Sequence, residues 1–126
     1  MLTLPSSVRI YLATEPTDLR KGFDGLAAAT THIIRQDPLS GHLFVFINRR
    51  RNRMKILVWQ TSGYLLLYKR LECGTFKLPH QAKQGQRSLR VSAADLTLML
   101  DGIDLRGARR RKHWAPSNPI ANAIES

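Results

Sequence analysis

A chain of 126 residues, 43% hydrophobic and 23% charged, has the composition of one globular domain and is too short to divide comfortably into two. Its apolar runs LFVFI and YLLLY fall far short of the roughly 20 residues a membrane-spanning helix needs, and its single cysteine, Cys73, excludes an internal disulfide and a cysteine-rich zinc site. The formal charge of +11 points instead to an anionic partner; no membrane partner and no cofactor is expected.

In chain order, MLTLPSSVRIYLATEP has no basic region ahead of a sustained apolar stretch and does not read as a secretion signal, so a cytoplasmic, nucleoid-associated location is expected. VRIYL, residues 8–12, predicts a short strand, closed by the turn-like ATEPTD, in which Asp18 is a candidate cap. Phe23, Leu26, Ala27, Ile33 and Ile34 share one helical face and predict a helix over 23–34, ended by Asp37-Pro38. LFVFIN is apolar on both faces, the mark of a central strand. MKILVWQ follows with Met54, Ile56 and Val58 on one face and Lys55, Leu57 and Trp59 on the other. After the turn Thr61-Ser62-Gly63, YLLLYKR is the third strand of an antiparallel meander. ECGTFKLPHQAKQGQ, residues 72–86, reads as a polar, exposed connection, and RSLRV as a short strand. Ser92 and Asp95 form a variant capping box for a helix in which Leu96, Met99 and Leu100 are apolar, stopped by Gly102. The expected architecture is α/β of the α+β type: one domain over 1–106 with an antiparallel meander and two helices, then a basic, flexible tail over 107–126.

The charge is concentrated. Arg49, Arg50, Arg51, Arg53 and Lys55 lie in one acid-free segment and Arg106, Arg109, Arg110, Arg111 and Lys112 in another; without these ten the formal charge falls from +11 to +1. Two short patches therefore carry the field of a nearly neutral body, the pattern of a polyanion-binding surface. The first patch sits at a hairpin tip, where guanidinium forks suit phosphate oxygens or guanine edges; solvated charge that protects a sheet edge is the plainer alternative. Lys69 and Arg70 could extend this track, and Arg109, Arg110, Arg111 and Lys112 could wrap nucleic acid as an arm with Trp114 stacking, or act only as a solubilising tail. Arg20 and Lys21, at the start of the first helix, either join this surface or simply cap and solvate the helix. Trp59, Tyr64 and Tyr68 are a stacking platform or, more commonly in such an apolar context, core.

Catalytic signals are sparse. Asp18, Asp24 and Asp101 follow no two-metal spacing, His32, His42, His80 and His113 are isolated, Cys73 has no histidine beside it, and no glycine-rich phosphate loop occurs. No catalytic residue and no metal ligand is assigned.

Three stretches in order, TDLRKGFDGLA (17–27), DPLSGHLFVFINRRRNRMKILVW (37–59) and YKRLECGTFKLP (68–79), resemble TnpB, the accessory protein of the insertion-sequence 66 class of bacterial transposable elements, over about Leu4 to Leu105. The chain departs from that pattern at Gln60-Thr61-Ser62, where an acidic turn is common, and at Cys73, where a charged residue is usual. The resemblance implies a role in transposition beside a separate, larger transposase, and it supplies no catalytic residues. With the charge pattern, it gives the expectation of a non-enzymatic DNA-binding factor for transposon ends. The alternatives are an adaptor for the transposase with little DNA affinity and a metal-dependent nuclease.

Overall fold

LFVFI and the strand after it are apolar on both faces because each lies between two layers. The computed structural model describes residues 4–78 and 83–101, with the backbone of 103–104 and 109–110. Its elements are β1 (Ile10–Ala13), α1 (Phe23–Ala29), β2 (Leu43–Ile47), β3 (Arg53–Gln60), β4 (Gly63–Arg70), β5 (Ser88–Val91), α2 (Ala93–Asp101) and the two-residue strands β6 (Ile103–Asp104) and β7 (Arg109–Arg110). Five strands form one sheet in the order β4-β3-β2-β1-β5, all neighbours antiparallel except β1 and β2. β6 and β7 pair separately. The meander β2-β3-β4 and the α+β class agree with the sequence.

One sheet face carries Tyr11, Phe44, Phe46 and Leu57 against Leu19, Leu26, Ala29 and Ile34 of the α1 layer; the other carries Ile10, Leu12, Val45, Met54 and Ile56 against Leu96 and Met99 of α2. Alternation in β1, β2 and β3 supplies both sets, so these strands are buried along nearly their whole length.

Two sequence expectations change, and one position that the sequence left open is filled. The predicted helix over 23–34 is α-helical only to Ala29; Thr30–Ile34 form a π-helical turn, and Arg35 reverses the chain at φ 62° before Asp37-Pro38 is reached. Here buried Thr30 turns its Oγ1 back onto the Leu26 carbonyl at 2.9 Å, the competition with helical bonding expected of a hydroxyl in the last turns. Second, the polar connection is not wholly exposed: Phe76 is fully buried in the α2-side core, with Leu71 and Leu78 beside it. The position left open is that of β1, which lies inside the sheet, parallel to β2, with α1 in the crossover. By contrast α2 begins as the sequence indicates, with the Asp95 amide donating to Ser92 Oγ at 3.0 Å.

β1 and β2 are also joined at their start, where the Arg9 amide donates to His42 Nδ1 at 2.9 Å and the Tyr11 ring meets the imidazole edge-on. That bond needs an unprotonated Nδ1. Burial, then the charges of Arg9 and Arg90, lower the His42 pKa below its ordinary value. The unfolded imidazole takes up its proton near about pH 6.5 while the folded one resists, so this stabilisation is complete above that pH and declines as pH falls through it. The urea midpoint should drop between about pH 7.5 and about pH 5.5, and His42→Leu should flatten that dependence; an equal slope in the variant would place the effect elsewhere.

Candidate nucleic-acid interface

The arginine loop, residues 48–52, is longer than the two-residue turn that Asn-Gly favours, and one side chain shapes it. Asn48 Oδ1 accepts from the Asn52 and Arg53 amides, each at 3.0 Å, and Asn48 Nδ2 donates to Asn52 Oδ1 at 2.8 Å. Asparagine is, after glycine, the residue that most readily takes the left-handed conformation such a loop needs, yet here it is Arg51, at φ 58°. Both asparagines are engaged with each other across the loop, which leaves the reversal to Arg51. From behind, the Phe76 amide donates to the Arg51 carbonyl and the Leu71 amide to the Asn52 carbonyl, each at 2.7 Å. The loop is therefore a braced turn, with Arg49, Arg50, Arg51 and Arg53 all exposed.

Arg51→Gly tests that conformation, since glycine adopts positive φ without strain. Its folding stability should be unchanged or higher by up to about 1 kcal/mol, whereas Arg51→Val should lose about 1–2 kcal/mol in urea denaturation. A clear loss in the glycine variant would contradict the assignment.

A second wall faces the loop. The Thr17 amide donates to the Ile47 carbonyl at 2.9 Å, tying residues 16–20 to the end of β2, and Leu19 enters the α1-side core while Asp18 and Arg20 point outward. Gly25 lets this segment lie against α1, because a Cβ there would come within 2.9 Å of Lys21 Cβ. Between the walls is a concave site of about 560 Å³, lined by Asp18, Arg20, Arg49, Arg50, Arg53 and Tyr68 among others.

Arg20 grips Asp18 through Nε at 3.0 Å and Nη2 at 2.7 Å. Those side-chain bonds, with the Arg20 amide on the same carboxylate, hold the Asp18 pKa down to about 2. Asp18 is thus an anion that aims Arg20, and the site carries four guanidiniums against one carboxylate. The Tyr68 hydroxyl accepts from Arg53 Nη1 at 2.6 Å, and Lys55 Nζ lies over the Tyr68 ring, 4.9 Å from its centroid.

The expected site residues divide accordingly. Arg49, Arg50 and Arg53 meet at the cleft; Arg51 is exposed on the same loop without lining it. Lys55 is buried, its stem along the sheet and its Nζ on the Lys21 carbonyl at 3.0 Å, so it lies beneath the cleft. Arg70 stands opposite Arg53 across the strand pair and is bound to Glu72 at 2.6 Å. Lys69 belongs to the other face of β4, where its Nζ donates to the Leu100 carbonyl at the end of α2, so it does not continue the track. Arg109 and Arg110 form β7, within the segment expected to be a free tail, while Arg111, Lys112 and the rest of that tail lie outside the described residues. Asp18 was not foreseen at this site; Tyr68, expected with Trp59 and Tyr64 as a stacking platform or as core, is exposed and not core, and strand alternation places it beside Arg53 and Lys55. Trp59 and Tyr64 are half-buried and pack edge to face at 5.1 Å.

Asp24 opens α1 and Asp101 closes α2, on opposite faces of the sheet, so the carboxylates considered for a metal do not converge. Among the described residues no group of three or more His, Cys, Asp or Glu could hold a metal ion, and no helix is long and apolar enough to cross a membrane.

The family model described as IS66 Orf2 like protein matches residues 8–110. Two Sinorhizobium fredii proteins, both described as uncharacterized, are 36% identical to the chain: y4hO over 93% of this chain and 97% of its own length, and y4jC over 87% and 92%. No solved structure matches.

Proposed function

From the premise that this chain belongs to the IS66 Orf2 like family, which suggests an accessory role in transposition, we propose that it acts without catalysis by binding DNA of its own element, through the arginine cleft. The observation that carries the reading is the meeting of Arg20, Arg49, Arg50 and Arg53 around one concavity with Asp18 as its sole acid. The exposed Arg49 and Arg50 forks suit phosphate oxygens, and Arg20 and Arg53, held by Asp18 and Tyr68, add fixed positive charge beside them. Lys55 Nζ, against the Tyr68 ring, and Arg70, opposite Arg53 on β4, lie close to the same surface. On this reading the basic segment with Arg109, Arg110, Arg111 and Lys112 adds a second, sequence-independent hold on the phosphates, and the transposase is the partner that acts on the bound end.

The test is fluorescence anisotropy with a labelled transposon-end duplex and a scrambled duplex across a salt series. Affinity is expected to fall by about a thousandfold between 50 and 200 mM salt when six or more phosphates are held. Preference for the end sequence marks base reading, and equal binding marks phosphate contact. Absence of binding at low salt removes the proposal.

A second reading, an adaptor for the transposase, is favoured by β4: Leu65 and Leu67 are 42% and 41% exposed on the last strand of the sheet order. A complex with the transposase that survives high salt, where phosphate contacts fail, would select it.

A further inference from the structure

Tyr68 is the residue of the cleft that phosphate binding does not explain. It is 51% exposed, although the tyrosine opposite Trp59 on the same strand face, Tyr64, is half-buried. Its orientation is nevertheless fixed twice, by the Arg53 hydrogen bond to its hydroxyl and by Lys55 Nζ over its ring. An aromatic ring held in place with an open surface, among guanidiniums, is the arrangement that stacks a nucleobase while its phosphate is bound alongside. Size gives a second, independent indication. The half-open concavity of about 560 Å³ has room for a single nucleotide. A base within a duplex has both faces covered by its neighbours and cannot reach the ring without leaving the stack.

We propose that the cleft takes one unpaired nucleotide of DNA, its phosphate on Arg20, Arg49 and Arg50 and its base on the open face of Tyr68. This rests on the DNA-binding reading above and narrows it: the protein recognises a strand end or a melted segment in preference to uninterrupted duplex. Asp18 contributes by fixing the Arg20 fork, and its negative charge also disfavours a second phosphate in the same recess.

The experiment compares three labelled DNAs at one salt concentration: a single-stranded oligothymidylate, a blunt duplex of equal length, and that duplex with a single-stranded extension. The wild-type chain should bind the single strand and the extended duplex more tightly than the blunt one. Tyr68→Ala should weaken binding to the single strand by about tenfold and to the blunt duplex by clearly less, since the duplex loses only the Arg53 tether and no stacked base, and Tyr68→Phe should retain the preference. Tyr68→Leu keeps a large side chain in the strand and serves the same comparison if the alanine variant unfolds. Equal affinity for all three DNAs, or equal weakening by Tyr68→Ala on single strand and blunt duplex, overturns the inference and leaves DNA binding intact. Failure of every DNA to bind removes both.

Discussion

Replacing Arg49, Arg50 and Arg53 together by alanine is expected to lower affinity for transposon-end DNA by about two to three orders of magnitude near 0.1 M salt. Each phosphate contact contributes about 0.9 to the slope of log affinity against log salt, so the triple variant should reduce that slope by about 0.9 if the arginines share one phosphate and by about 2.7 if each holds its own. Folding stability should change little, because the three side chains are exposed and the loop is held by backbone and asparagine bonds that they do not make. The decisive comparison is affinity against urea midpoint in the same variant. Undiminished DNA binding with the slope unchanged would move the interface away from the cleft.

Phe76→Ala should have the largest effect on folding. Its side chain is fully buried among Met54, Ile56, Leu96 and Met99 in the α2-side core, and truncation there costs about 3–5 kcal/mol through lost transfer and the cavity left behind. Against a total of about 5–15 kcal/mol for a domain of this kind, that is a large fraction. A urea midpoint lowered in proportion, with unchanged m-value, is the expected result; a loss below about 1 kcal/mol would mean that the site collapses freely. The amide of this residue, which alanine retains, braces the arginine loop from behind, so a partial loss of DNA affinity is expected only insofar as loss of the buried ring lets that amide shift.

These two experiments also separate what the sequence disclosed from what it hid. LFVFI and MKILVWQ are apolar on both faces, and that pattern identified the central strands; the Ser92 cap and the β3-β4 turn at Thr61-Ser62 fell where the sequence placed them, although Thr61 takes a φ of 55° that a β-branched residue rarely adopts. The position of β1 was not legible, because a four-residue apolar run carries no information about which strands flank it. Phe76 was concealed by its polar neighbours, whose composition describes the segment's outer side and not the one residue that anchors it. Lys55 looked like part of an exposed charge cluster, yet its long stem and a backbone carbonyl within reach allow it to lie inside. The arginine cluster was plain from the sequence, and the facing wall was not: Arg20 reaches the cleft through the Thr17–Ile47 hydrogen bond, a contact between segments with no shared local pattern.

The placement of β1 between β2 and β5 also orders the assembly of the domain. Ile10 pairs with Leu43 on one side and with Val91 on the other, so the first strand made is completed only by one near the end of the described chain. The β2-β3-β4 hairpins close over short loops and can form early, whereas the β1-β5 pairing must pay the entropy of a much longer closure. Until Val91 is synthesised, the apolar IYLA strand keeps an open edge, the interval in which a nascent chain is most exposed to wrong pairing with its neighbours.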